Sequence, residues 1–125
     1  TNRYFNYIYV RMGAHTLIHK RTEDDIWKNL FELPLVETEK DLSEEEFLAC
    51  PQFHALFAEG EVRMVRTLLR GVKHVLSHRV IYTNFYEVTL PDNSSSFSSY
   101  QRVAVEDLGR YAVPRLIHAF LEKYV

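Results

Sequence analysis

The apolar positions of RYFNYIYVRM (3–12) alternate, and aromatic and β-branched residues dominate the run, which predicts a strand. A period of two puts Tyr4, Ile8, Val10 and Met12 on one face and Phe5, Tyr7 and Tyr9 on the other. Apolar groups on both faces predict a sheet covered on both sides. Gly13 breaks the run, HTLIHK (15–20) resumes it, and TEDD (22–25) is polar turn material. WKNLFELPLVE (27–37) reads as a loop entering a short strand, with Pro34 at an edge or bulge. Ser43 followed by Glu46 is a capping box that opens a helix, burying Phe47 and Leu48. Pro51 opens a second short helix with Phe53, Leu56 and Phe57 on its apolar side, ended by Gly60. Two short strands, 62–70 and 72–76, are expected about Gly71. RVIYTNFYEVTL (79–90) carries the longest strand signal. PDNSSSFSSY (91–100) has loop composition, 101–105 one more short strand, and 105–109 a helical turn closed by Gly109. A final helix from Pro114 aligns Leu116, Ile117, Phe120, Leu121 and Tyr124 on one stripe. Strands, helices, strands and helix in that order predict one α+β domain with a mixed or antiparallel sheet and helices packed on it.

Composition narrows the function. The 125 residues suffice for one domain and not two. The single cysteine, Cys50, excludes an internal disulfide framework, an all-cysteine zinc site and a chain-borne iron–sulfur cluster. No apolar run approaches the roughly 18–20 residues of a membrane span. Net charge is −2 and pI about 6.3, which argues against a generic nucleic-acid binder. The distribution is polarised, however. Six acids crowd residues 37–46, whereas 62–86 holds Arg63, Arg66, Arg70, Lys73 and Arg79 and no acid, so one face could be positive.

The stretch KHVLSHRV (73–80) concentrates the candidate chemistry. His74 and His78 have helical metal-ligand spacing, but their Val and Leu neighbours favour a strand. Four strand residues span roughly 13 Å, too far for two ligands of one zinc. Ser77 and His78 are adjacent and lack a G-x-S-x-G elbow, so they do not form a nucleophile and base. Glu44, Glu45 and Glu46 suit a solvated helix N-terminus better than a magnesium site. Recognition remains. Ser77 and His78 on a polar turn offer donors and acceptors, and Lys73 and Arg79 beside them could anchor phosphates. The alternative is a turn serine and a packed histidine.

Three segments, DIWKNLFELPLVE (25–37), KHVLSHRVIYTNFYEV (73–88) and YQRVAVEDLGRYAVPRLIHAFLEKY (100–124), occur here in sequence. Together the chain resembles the C-terminal domain of bacterial adenine DNA glycosylases of the MutY family. The first looks like that domain's tryptophan-plus-E-[FL]-P-L segment, the second its H-V-F-S-H loop and following strand, the third its closing stretch. The resemblance implies a Nudix-like α+β fold with a mixed or antiparallel sheet and helices packed on both sides. It implies that residues 1–125 are one lesion-recognition domain excised from a longer glycosylase. Starting at Thr1 rather than Met agrees with that expectation. The implied partner is double-stranded DNA containing 8-oxoguanine opposite adenine. The implied catalytic unit, with its iron–sulfur cluster, is a separate N-terminal domain that cleaves the adenine glycosidic bond, so no catalytic residue and no cofactor are expected in this domain. The implied location is the bacterial cytoplasm, at the nucleoid.

The family's F-S-H loop maps onto Leu76, Ser77 and His78. Ser77 would hydrogen-bond the damaged guanine, and Leu76 replaces the usual Phe, still able to act as an apolar wedge. 8-Oxoguanine carries a hydrogen on N7 where guanine has an acceptor, so a serine hydroxyl can accept from it. One such bond is worth on the order of 1 kcal/mol net.

Two rival functions use the same fold. An active Nudix hydrolase of nucleoside diphosphates would need R-E-x-x-E-E-x-G glutamates, but TEKDLSEEEFLAC (38–50) has neither the Arg-Glu pair, the spacing nor the glycine. A protein-interaction domain is the other.

Overall fold

The computed structural model describes residues 1–125. Its elements are β1 (Asn2–Arg11), β2 (His15–Lys20), β3 (Phe31–Glu32), β4 (Leu35–Thr38), α1 (Glu44–Ala49), α2 (Pro51–His54), β5 (Met64–Leu76), β6 (Arg79–Thr89), β7 (Gln101–Ala104), a 3-10 helix (Val105–Arg110) and α3 (Arg115–Tyr124). A four-stranded sheet has the order β4-β1-β6-β5, and a three-stranded sheet the order β3-β2-β7. β1 and β6 run parallel through ten register pairs, while the other pairings are antiparallel. The fold is α+β with mixed sheets, as expected.

The two-faced apolar pattern of β1 has a direct structural meaning. Phe5, Tyr7 and Tyr9 enter one core with Phe85 of β6 and Leu116, Ile117 and Phe120 of α3. Ile8, Val10 and Met12 enter a second core with Tyr86, Val88 and the helix residues Phe47 and Phe53. One sheet thus separates two cores, each closed by helix. Aromatic stacking ties sheet to helix on each side, Phe85 against Phe120 at 4.1 Å and Phe47 against Tyr86 at 4.7 Å between centroids.

Several local expectations hold and several are corrected. The capping box forms reciprocally, Ser43 Oγ accepting from Glu46 N–H and Glu46 accepting from Ser43 N–H. Pro51 opens α2, but α2 ends at His54. Gly60 therefore serves a later turn at positive φ (+76°) rather than ending that helix. The 27–37 segment forms two short strands, β3 and β4. Gly109 lies inside the 3-10 helix, and Pro114 is the N-cap of α3, one residue before its start.

The main correction concerns residues 62–76. They form one strand, β5, instead of two about Gly71. Two register shifts, between Thr67 and Leu69 and between Leu69 and Val72, each insert an extra residue opposite β6. Gly71 occupies the second at φ +68° and donates its N–H to Asn84 Oδ1 at 2.8 Å. The glycine bends the strand without breaking it.

Candidate functional site: an exposed hairpin tip

β5 and β6 are the two longest strands, and their pairing closes on Leu76 opposite Arg79. Ser77 and His78 are left as a two-residue turn, both exposed. Neither is among the residues with positive φ, so this turn needs no glycine and leaves room for side-chain donors and acceptors at the tip.

Beyond the tip, the strand period sorts the candidate residues onto two faces. His74 and Leu76 face the first core. Leu76 is half-buried against it, and the His74 ring lies 6.0 Å from that of Trp27. Lys73 and Val75 face the other way, Lys73 exposed and Val75 65% exposed. The structure thus brings Ser77 and His78 together at the surface and draws Leu76 inward.

Arg79 lies on the same side as Leu76 and is engaged. Its Nη1 donates to Asp25 Oδ1 at 3.2 Å. Asp25 also receives both Nη1 and Nη2 of Arg3, at 3.0 and 2.9 Å, and Nη2 of Arg21 at 3.1 Å. The Arg3 hydrogen bonds, foremost among its surroundings, hold the Asp25 carboxyl well below the usual carboxylate range. Arg3 in turn grips Glu37 through two further hydrogen bonds at 2.9 and 2.8 Å, and Glu37 before Asp25 raises its pKa. Arg21 continues the network to Glu32, a carboxylate 2% exposed that also receives the Tyr7 hydroxyl at 2.6 Å and lies 2.9 Å from His19 Nε2. Burial, and then the Glu32 charge, push the Tyr7 hydroxyl well above its ordinary value. An open recess of about 460 Å³ lies beside the tip, lined by Asp24, Asp25, Ile26, Leu76, Ser77, His78 and Arg79. Asp25 was invisible to sequence reasoning: it sits in the turn-like TEDD, and its partner Arg79 is 54 positions away.

The acid-free stretch 62–86 does not remain a positive face. Glu87 pairs with Arg66 at 2.8 Å, Asp41 lies 3.6 Å from Arg70, and Asp25 holds Arg79. Arg70 also donates to Tyr86 Oη and Leu42 O, and Arg63 to the carbonyls of Gly60 and Glu61. Lys73 enters none of these ion pairs.

The residues of α1 do not fit a magnesium ion. Glu44, Glu45 and Glu46 are consecutive and point about 100° apart, and the Glu46 carboxylate is occupied by the Ser43 N–H. No group of three or more His, Cys, Asp or Glu side chains is arranged to hold a metal ion. No helix is long and apolar enough to cross a membrane.

A family model described as "NUDIX domain" matches residues 6–123. No curated protein matches the chain in sequence. Among solved structures, the C-terminal domain of mouse MUTYH, determined in complex with human PCNA, is similar at 15% identity and TM-score 0.69, over 98% of this chain and 86% of that one. A MutT NUDIX hydrolase from Burkholderia pseudomallei is similar at 16% identity and TM-score 0.66, over 100% and 99%. The MutT protein from Methanosarcina mazei is similar at 17% identity and TM-score 0.62, over 98% and 91%.

Proposed function

The chain belongs to the NUDIX domain family, and from that premise we propose that it is a non-catalytic reader of damaged DNA, recognising 8-oxoguanine opposite adenine through the Ser77–His78 hairpin tip. The observation that carries this reading is the tip itself: a serine and a histidine exposed on a two-residue turn between the two longest strands. The turn and the Leu76–Arg79 pair project beyond the last pairing of β1 with β6, Asn2 opposite Val80, so the tip can meet base edges in the major groove of B-DNA, where they are distinguishable. There the Ser77 hydroxyl accepts from the N7–H that distinguishes 8-oxoguanine from guanine, and His78 offers a second hydrogen-bonding group. The similarity in fold to the MUTYH C-terminal domain supports the same reading. Cleavage of the mispaired adenine belongs to a separate catalytic domain of the same protein, which would carry the iron–sulfur cluster. The place of action is bacterial DNA in the cytoplasm.

Arg79 serves the tip by fixing the hairpin base through Asp25, and a phosphate would have to compete with that ion pair. Lys73 is the freer phosphate anchor.

The test is binding of the chain, at low salt, to matched duplexes holding 8-oxoguanine:adenine or guanine:adenine. Wild type should prefer the lesion, and Ser77→Ala should lower that preference several-fold, the worth of one hydrogen bond of about 1 kcal/mol. Equal binding of both duplexes by the wild type refutes the reading. The fold is shared with MutT hydrolases, so the second arm incubates the chain with 8-oxo-dGTP and magnesium. Turnover abolished by changing Glu44 or Glu45 would establish the hydrolase instead.

A further inference from the structure

One face of the four-stranded sheet is uncovered next to the hairpin tip. Across its strands, Thr38, Tyr4, Tyr82 and Lys73 stand in one register row. One row closer to the tip are Asn2, Val80 and Val75. The rings of Tyr4 and Tyr82 lie side by side, 5.7 Å apart and 16° from parallel. Neither they nor Val75 and Val80 enter either core. The helices α1 and α2 cover this face only farther along, over Ile8, Val10, Tyr86 and Val88.

We propose that this strip, Tyr4, Tyr82, Lys73, Val75 and Val80, is a second DNA-contact surface that takes the sugar-phosphate backbone beside the base engaged by the tip. The proposal rests on the tip reading and extends it. Charge chooses the occupant. The two rows contain no carboxylate, and they present an ammonium and two phenols, all hydrogen-bond donors. Asp41, beside the next row at Asn84, is held by Asn84 Nδ2 at 3.2 Å and faces Arg70 at 3.6 Å. Distance agrees as well. Four strand residues separate Ser77 from Lys73, roughly 13 Å, and the major groove is about 8.5 Å deep. A tip at the base edges therefore leaves Lys73 at the groove rim, where the phosphates are. Val75 and Val80 occupy the rung between, against sugar and base edges, so the apolar contact beside the tip comes from Val75 and not from Leu76.

Lys73→Gln and Tyr82→Phe, with Arg110→Gln on another surface as a charge control, decide the matter by titration of the same two duplexes at several salt concentrations. Lys73→Gln should weaken binding to both by roughly tenfold, the loss of one charged hydrogen bond, and reduce the salt slope by about 1. The lesion-to-guanine ratio should stay as in the wild type, and Arg110→Gln should change neither. Tyr82→Phe, which keeps the ring, should weaken both duplexes to a smaller, equal degree. Unchanged affinity and slope in Lys73→Gln overturn the proposal, even where the tip preference survives. Reduced affinity in a chain without lesion preference supports the strip and defeats the tip reading. Absence of duplex binding overturns both. If sedimentation shows a dimer that Tyr82→Phe or Lys73→Gln dissociates, with duplex affinity untouched, the strip binds a second copy and the proposal fails.

Discussion

Asp25 and Arg79, 54 positions apart in the chain, meet at 3.2 Å and join the 22–27 loop to the base of the hairpin that carries Ser77 and His78. Thr1, just before β1, holds the other side of the hairpin base, its amine donating to His78 O at 3.3 Å and Val80 N–H donating to Thr1 O at 2.9 Å. Because Asp25 also accepts from Arg3 and Arg21, the hairpin base is anchored to β1 and to the chain following β2. A reading loop gains from this, since a hydrogen bond to a base pays only when its donor or acceptor is already in place.

Replacing Asp25 by Asn should cost about 2 kcal/mol at pH 7, because three guanidinium groups lose a charged acceptor. The pH dependence has a definite sign. The folded-state pKa of Asp25 is depressed, so its stabilisation is present above the unfolded value near 4 and is lost as pH falls through the folded one. Urea unfolding should therefore show the gap between wild type and Asp25→Asn shrinking progressively below about pH 4. A gap independent of pH would mean that the carboxylate charge contributes nothing.

Glu32 is the most demanding carboxylate of the network. It is 2% exposed, and its partner Arg21 has a side chain 10% exposed. Glu32→Ala removes the acceptor of Arg21 Nη1 and of the Tyr7 hydroxyl, while Asp25 and the Ile26 carbonyl still hold the rest of the guanidinium. The cost should be about 3 kcal/mol, since two buried donors lose a charged acceptor but the guanidinium stays paired, a drop in Tm of roughly 10 °C for a chain of this size. Glu32→Gln keeps the shape and one acceptor oxygen and should cost clearly less. Calorimetric melting of the two variants separates charge from packing.

What the sequence disclosed was local. Ser43 and Glu46 announce their capping box within four residues, and the alternation of Phe5, Tyr7 and Tyr9 with Ile8, Val10 and Met12 announces a sheet with two covered faces. The polar turn at Ser77 and His78 was legible for the same reason. The hidden parts were those that depend on distant partners. Arg66, Arg70 and Arg79 read as a positive stretch because Glu87, Asp41 and Asp25 reach them only through the fold. Which of Val75 and Leu76 turns inward was not legible, because only the register of β5 against β6 decides it.

Gly71 should tolerate a side chain poorly for one reason only. A Cβ there meets nothing within 4 Å, so the penalty is that of a left-handed backbone, about 1–2 kcal/mol. Gly71→Ala should lower the unfolding free energy by that amount, read as a lower urea midpoint with the slope unchanged, and Gly71→Asn, which adopts this conformation more readily, should lower it less. Equal losses for the two would assign the cost to something other than φ, such as the hydrogen bond to Asn84.

Leu76→Ala distinguishes a wedge from a prop. Leu76 is half-buried and packs toward the first core, on the side of Ile26 and Trp27, whereas Val75 is 65% exposed on the opposite side. Truncating a half-buried leucine should cost about 1–2 kcal/mol of stability, less than the roughly 2–5 of a full core position. On the proposed reading, the preference for 8-oxoguanine:adenine should change less than in Ser77→Ala, since the Leu76 side chain packs toward the first core. Val75→Ser should show the converse, little lost stability and weaker binding to both duplexes. Retained stability with lost lesion preference in Leu76→Ala would put the leucine, and not the valine, between the bases, and would require the hairpin to twist by one residue on meeting DNA.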